Sequence, residues 1–438
     1  MTQMKKKYSH SISHLLVSTV FLTLLVTFSL TASGQVNANK NLKFKTVKGL
    51  VLNKETSKPV IFASVFVKGT NIGTVTNSEG KFLIKVPSNL ANSILGISSI
   101  GFKTFYVPLS SLMNKKNKLE LIPAIIPLNE VVIRHLDPIE LLNTAVSKIP
   151  VNYDRQAVNM TAFYREFIKK NRNYVSVGEA ILKIYKASYT KGLDNDRISI
   201  FKGRKSTAVK NMDTLLVKLQ GGPLALSSLD LVKNPGDILS PDMFPYYNYQ
   251  VSGIVFLNGR ETYEIHFEQK DTVSLPLYQG TIYLDAKSLA FATVQFEVTP
   301  DKLAEATKYF IRKKPAGLKA ELLGAHYLVK YRKIGKLWFL NYVRMEDEFR
   351  FKWAKKWFAN NYTIVSEAAI TDINQENVFK PKFNERIKYG DVFSEKVSAF
   401  EDPKFWGSSN IIEPETSIQS AIKKITRKLK RWQRHHHN

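Results

Sequence analysis

The chain is predicted to be mainly β: an N-terminal seven-stranded β-sandwich, then a larger antiparallel β half-barrel with a few helices, then a C-terminal amphipathic helix. Three observations predict it. Between Phe44 and Leu121 short alternating runs stop at turn residues every 8–12 positions, the spacing of a small sandwich. From 158 to 392 alternation returns with longer runs, and "DAKS" and "KIGK" stand between paired runs as reversals. In the tail Ile418, Ile422, Ile425, Leu429 and Trp432 recur at helical steps. A chain of 438 residues, 44% hydrophobic, with 26 Phe and 19 Tyr, has the material for a substantial core.

Residues 1–34 read as a secretory signal. Lys5, Lys6 and Lys7 precede the uncharged apolar run Leu15–Leu30, and "TASGQ" follows with small residues at Ala32 and Gly34. Cleavage is expected before Gln35; an uncleaved anchor is the alternative, for a run slightly short to span. These residues carry three lysines and no acid, so their removal takes the net charge from +27 to +24. Such a charge favours anionic surfaces, lipopolysaccharide phosphates or anionic lipid. No nucleic-acid recognition motif is present, and nucleic acid is not expected as a partner. The chain has no cysteine, which excludes disulfides, thiolate nucleophiles, Cys-based metal sites and lipid attachment to a Cys after the signal.

The first β-region is expected over 44–122. "VIFASVFVKG" alternates Phe62, Ser64, Phe66 and Lys68 with Ala63, Val65 and Val67, one buried face and one mixed face. Gly69, Gly73 and Gly80 fall at strand junctions, where a positive φ or a close reversal is needed. "NSEG" (77–80) is turn chemistry. A calcium loop there would want several carboxylates and has only Glu79. The turn therefore reads as punctuation between strands.

Residues 46–133 resemble the carboxypeptidase-regulatory-like, transthyretin-type domain of exported Bacteroidetes-type proteins. The resemblance rests on Gly49 in "VKGLVLN", Pro59 in "SKPVIFASV", "KGTNIGT", Gly80-Lys81-Phe82 and Gly101-Phe102. "PLNEVVI" (127–133) is similar to the segment that follows this domain in TonB-dependent transporters. Asn77 stands where that family often has Asp, a difference expected to matter little in a turn. The resemblance implies a β-sandwich without catalytic residues of its own.

Residues 123–150 read as a connector and a helix. Asp137 is placed to cap it, Pro138 sits at its first position, Ile139, Leu142, Ala145, Val146 and Ile149 share a face, and Pro150 ends it. In the half-barrel region, 151–392, "MTAFYREFIKK" and "NYVSVGEAILKIYKAS" are expected to pair around Lys170–Asn173. Residues 203–245, with "GGP", "KNPGD" and "SPDMFPYY", form a long irregular insertion of the kind that covers binding sites. The run Gly280–Val298, with Asp285 before its turn, resembles a hairpin of the exported lipoprotein-carrier family. That resemblance implies an antiparallel half-barrel cradling acyl chains beneath helices. The region also resembles the middle part of larger Bacteroidetes envelope proteins.

Candidate chemistry is sparse. None of the eight histidines sits in His-x-x-Glu or His-Glu-x-x-His, so no zinc peptidase and no metal site is expected. No Gly-x-Ser-x-Gly elbow exists. His266 with Glu264 and Glu268 reads as the polar face of a half-buried strand, and Glu346, Asp347 and Glu348 as a strand-end acidic patch pairing with Arg344 and Arg350. "HHH" at 435–437 carries no assignment. The tail, 393–438, has Pro414 at the first turn of its helix. It offers a membrane or partner surface in Lys423, Lys424, Arg427, Lys428, Lys430, Arg431 and Trp432, or else docks by its apolar stripe with the basic face in solvent.

The expected function is non-enzymatic: an exported protein of the periplasm or outer-membrane periphery, without catalytic residues or cofactor, binding or carrying a lipid-like envelope component. The alternatives are a scaffold binding envelope proteins or glycan, a hydrolase using His266/Glu268 or Glu346/Glu348, and a small outer-membrane barrel. A full TonB-dependent transporter needs roughly 22 strands and does not fit the length.

Overall fold

The computed structural model describes residues 43–112, 116–124, 136–191, 196–207, 218–219, 222–355, 357–388, 391, 393–399, 405–424 and 427. Residues 1–34, expected to be a signal, lie outside them.

The sandwich is built from β1 (Phe44–Asn53), β2 (Ser64–Val67), β3 (Gly73–Val75), β4 (Lys81–Pro87), β5 (Ile94–Ser98), β6 (Phe105–Pro108) and β7 (Asn117–Leu121). Its sheets run β4-β1-β7 and β3-β2-β5-β6, and only the β1–β7 pairing is parallel. Val47, Val51, Val65, Phe82, Ile84 and Ile97 fill the space between them. Gly69 and Gly80 take positive φ, 77° and 72°. Gly73 instead allows a close approach: a Cβ there would meet the Val65 carbonyl at 3.2 Å.

Helix α1 (Pro138–Ser147) begins as its sequence requires, with Asp137 Oδ1 accepting from the Ile139 N–H at 2.8 Å. Its end differs from expectation. Lys148 is the C-cap, and Pro150 opens a second short turn, α2 (Ile149–Asn152), where a proline near the N-terminus costs no hydrogen bond.

The large sheet comprises β8 (Val158–Lys170), β9 (Asn173–Lys186), β10 (Arg197–Thr207), β12 (Tyr247–Leu257), β13 (Arg260–Gln269), β14 (Tyr278–Asp285), β15 (Phe291–Val298), β17 (Leu318–Ile334), β18 (Leu337–Trp353), β19 (Asn360–Asn374) and β20 (Ser398–Ala399). β11 (Lys218–Leu219) and β16 (Ile311–Lys313) pair separately. The order is β12-β13-β14-β15-β17-β18-β19-β8-β9-β10-β20, antiparallel throughout except β10–β20. The edge strands β12 and β20 do not pair with each other, so the sheet is open and the barrel alternative is set aside. β10 continues regularly to Thr207, so the irregular insertion starts later than 203.

The sheet has two unlike faces. One carries α3 (Pro223–Ser228), α4 (Gly236–Leu239) and α5 (Leu303–Phe310), whose Leu226, Ile238, Leu239 and Ala306 join the main core. The other, the back face, receives the sandwich. Lys330 Nζ donates to the Phe62 carbonyl at 2.6 Å, Arg332 to that of Asn71 at 3.1 Å, and Asn341 Nδ2 to Ser64 Oγ at 2.9 Å. Phe62 stacks on Tyr342 at 5.6 Å and lies under the Arg344 guanidinium. The mixed face of the β2 run is thus an interface. Phe62 itself precedes the strand with φ +52°, a costly conformation for a bulky residue, held by the ring's clamp between Tyr342 and Arg344.

The "NSEG" turn is a turn and also a clasp for the tail. Asn77 Oδ1 accepts from the N–H groups of Glu79 and Lys81, and its Nδ2 donates to the Glu413 carbonyl at 2.8 Å. An Asp would keep the first role and lose the second, so the Asn is not a minor difference here. Glu79 accepts from the Thr416 N–H at 3.0 Å, at the start of the helix over 416–424. Burial works against its charge, but bonds from Lys81 and Thr416 hold its carboxyl below the usual range. Pro414 precedes that helix instead of lying in its first turn.

Candidate functional site

Register places two rows of side chains across the sheet, and because successive residues of a strand point to opposite faces, the rows look opposite ways. Arg344, Glu367, Arg165, Glu179 and Arg204 are consecutive partners on β18, β19, β8, β9 and β10. They form a ladder of alternating charge on the back face. Arg165, fully buried, donates to Glu179 at 2.9 Å, to Glu367 at 3.3 Å and to the Ile412 carbonyl at 2.7 Å. Arg204 pairs with Glu179, and Arg344 with Glu367 and Glu346. Glu415 and Trp406 of the tail close over the ladder, at 3.7 Å from Arg165 and 4.6 Å from Arg204. Burial opposes the Arg165 charge, but Glu179, Glu415 and Glu367 outweigh it and hold its pKa above the ordinary arginine value. Each charged side chain of the ladder is paired within the protein. The ladder is framework.

The neighbouring row faces the helices: Phe296, Tyr327, Met345, Ser366, Glu166 and Gly178 on β15, β17, β18, β19, β8 and β9. One step along it lie Asp347, Ile364 and Ile168. Rings crowd this face. Phe296 stacks on Tyr327 at 4.7 Å with Tyr278 edge-on, and Phe351 lies between Phe349 and Tyr362. Ile168, Tyr278, Phe310 and Ile364 pack on the core yet keep accessible surface.

Two carboxyls stand among them. Burial pushes Glu166 up to about 7, against a 2.7 Å bond from the Tyr164 hydroxyl. Burial, aided by the Glu346 charge, pushes Asp347 up to about 7 as well, and its Oδ1 has no hydrogen-bond partner. The folded state therefore binds more protons than the unfolded chain between about pH 4 and pH 7. Stability is expected to fall as pH rises through that window and to level off above it. In a Glu166→Gln/Asp347→Asn protein this slope should be lost, leaving it more stable than the parent by several kcal/mol at pH 8 and similar at pH 4. Urea titrations at both pH values check this.

The elements over this face are bolted to the sheet by a second ion cluster. Asp230, fully buried after α3, pairs with Lys186 of β9 at 2.6 Å and accepts from the Tyr331 hydroxyl of β17 at 2.8 Å. Lys186 also meets Asp196 at 2.8 Å, which Lys233 pairs with in turn. The attractions of Asp230 and Asp196 outweigh burial and keep the Lys186 ammonium pKa raised. For Lys233 burial and the Lys186 charge win, and its pKa is lowered.

The residues singled out from sequence do not converge. His266 and Glu268 are exposed on β13, while Glu264 accepts from the Tyr283 hydroxyl. Among the described residues no three His, Cys, Asp or Glu side chains are grouped to hold a metal ion. "MEDEF" is not a strand-end patch: it lies within β18, Arg350 pairs with Glu321 instead, and Asp347 faces the other side from Glu346. Ile418 and Ile422 dock on Phe167, Val177, Val365 and Tyr174, leaving Lys423, Lys424 and Arg427 exposed. Lys428, Lys430, Arg431 and Trp432 lie outside the described residues. Glu166 and the Lys186–Asp230 pair were missed, and Asp347 was read only as a member of the acidic patch. The signal for Glu166 was a pair of adjacent charges inside an otherwise apolar run, "FYREF".

Two solved structures are similar to part of the chain. A DUF1329 family protein from Desulfovibrio piger aligns with 56% of this chain and 96% of its own, at 11% identity and a TM-score of 0.25. A LolA superfamily protein from Nitrosomonas europaea aligns with 55% and 96%, at 10% identity and a TM-score of 0.18. Among curated proteins, the TonB-dependent receptor SusC of Bacteroides thetaiotaomicron is 39% identical over 69 residues, 16% of this chain. The match spans 6% of that receptor's length. Residues 47–133 match the family model of the CarboxypepD_reg-like domain, in agreement with the resemblance drawn from the glycines and turns of that region.

Proposed function

We propose that this protein is a non-enzymatic component of the cell envelope that binds a lipid-like molecule on the helix-covered face of its open sheet. One observation carries the reading: an aromatic and aliphatic face in which Ile168, Tyr278 and Ile364 of the sheet and Phe310 of α5 pack on the core and stay partly accessible. Apolar side chains that keep surface inside a folded chain suit an apolar guest. The two near-neutral carboxyls, Glu166 and Asp347, provide hydrogen-bonding groups for a polar end.

Export is supported by the amino-terminal pattern of lysines, apolar run and small residues. The envelope setting is supported by the likeness of 69 residues to a segment of a TonB-dependent receptor. A non-catalytic role is supported by the exposure of His266 and by the Arg344 partner of Glu346. Occupancy of the protein purified from its native envelope tests the reading.

A further inference from the structure

Three neighbouring strand ends of the large sheet meet at one edge. Leu318 is opposite Trp353, and the Ala354 N–H donates to the Gly317 carbonyl, which sets the 314–317 turn beside the β18–β19 connection. Tyr362 is opposite Lys170, and the Asn171 N–H donates to the Asn361 carbonyl, which sets the β8–β9 turn on its other side. Segments 169–174, 311–319 and 352–360 contain ten Lys or Arg and no Asp or Glu. At the centre Trp357 is 92% and Phe358 84% exposed. Single exposed apolar residues are ordinary, but two adjacent large rings left in water at the tip of a long hairpin are not explained by folding.

The surrounding charges are placed for the same purpose. Lys314, Lys319, Lys352 and Lys355 are exposed, and the acid of this end, Glu321, is already paired with Arg350. Lys169 and Lys170 lie over the rings of Tyr174 and Tyr362. The tail helix reaches this end too, since Tyr174 shares a hydrogen bond with Ser417 and packs on the same small cluster as Ile422.

We propose that this edge is a docking surface for an anionic lipid bilayer, with Trp357 and Phe358 inserted at the headgroup level and the lysines on the phosphates. An indole and a phenyl ring favour the interface, and the cluster of exposed lysines supplies the long-range attraction. The inference is independent of what the helix-covered face binds, and it assigns the insertion to a hairpin tip instead of to the tail.

The test is co-sedimentation of the full mature chain, 35–438, with vesicles of phosphatidylcholine alone or with 30% phosphatidylglycerol, about, in molar terms. Binding is expected to the anionic vesicles, to weaken several-fold between about 0.05 and 0.3 M salt, and to shift tryptophan emission to the blue. Trp357→Ala/Phe358→Ala removes side chains already in water, so the fold survives, and vesicle binding should drop at least about 10-fold. Unchanged binding by that variant would assign the membrane contact to the basic tail and overturn the proposal. No binding by the parent would overturn it as well and leave the tip as a contact for another protein.

Discussion

Replacing Arg165 with Met is expected to destabilise the protein by about 3 kcal/mol and to free the tail from the back face. The side chain is 0% exposed and holds two carboxylates that are each 1% exposed, together with the Ile412 carbonyl. Removing the guanidinium leaves Glu179 and Glu367 facing one another across a gap of apolar stem. Arg204 and Arg344 still reach them from outside, which keeps the loss from being larger. Denaturant unfolding measures the effect, and faster proteolysis within 405–424 should accompany it. Arg350→Met is the comparison. Its pair with Glu321 is about half exposed, with side-chain exposures of 49% and 54%, and should be worth less than about 0.5 kcal/mol. Equal losses from the two variants would contradict the reading of the ladder as the joint between sheet and tail.

Asp230→Ala should loosen the cover of the opposite face. It strands the Lys186 ammonium with Asp196 alone and leaves the Tyr331 hydroxyl without its acceptor. The expected cost is about 3 kcal/mol, concentrated locally. Amide exchange over 222–239 should accelerate by one to two orders of magnitude, while the β17–β18 core keeps its protection. Uniform acceleration across the sheet would mean that the cluster holds the whole fold and not its cover.

Much of the architecture was legible in short-range signals. The reversals at "DAKS", "KIGK" and Lys170–Asn173 all fall between paired strands, and Leu289, Gly335 and Asn171 take the positive φ those turns need. The Asp137 cap was readable for the same reason: donor and acceptor lie two residues apart. The site was much less so. Arg165 and Glu367 are 202 positions apart, and only the register of β8 against β19 brings them together. Asp347 looked like one of three equivalent acids until its strand position put it on the other face from Glu346 and Glu348. The "NSEG" turn was recognised, but its second use as a clasp depends on a tail 336 residues away. Local chemistry fixes where a chain turns; it does not say what the turn will touch.

Mass spectrometry of organic extracts from the mature protein, purified gently from its native envelope, tests the central claim most directly. A lipid or other amphiphile at near one-to-one stoichiometry is the predicted result. A clean, empty protein in repeated preparations would contradict it and leave the joined sandwich and sheet as a scaffold for other envelope molecules.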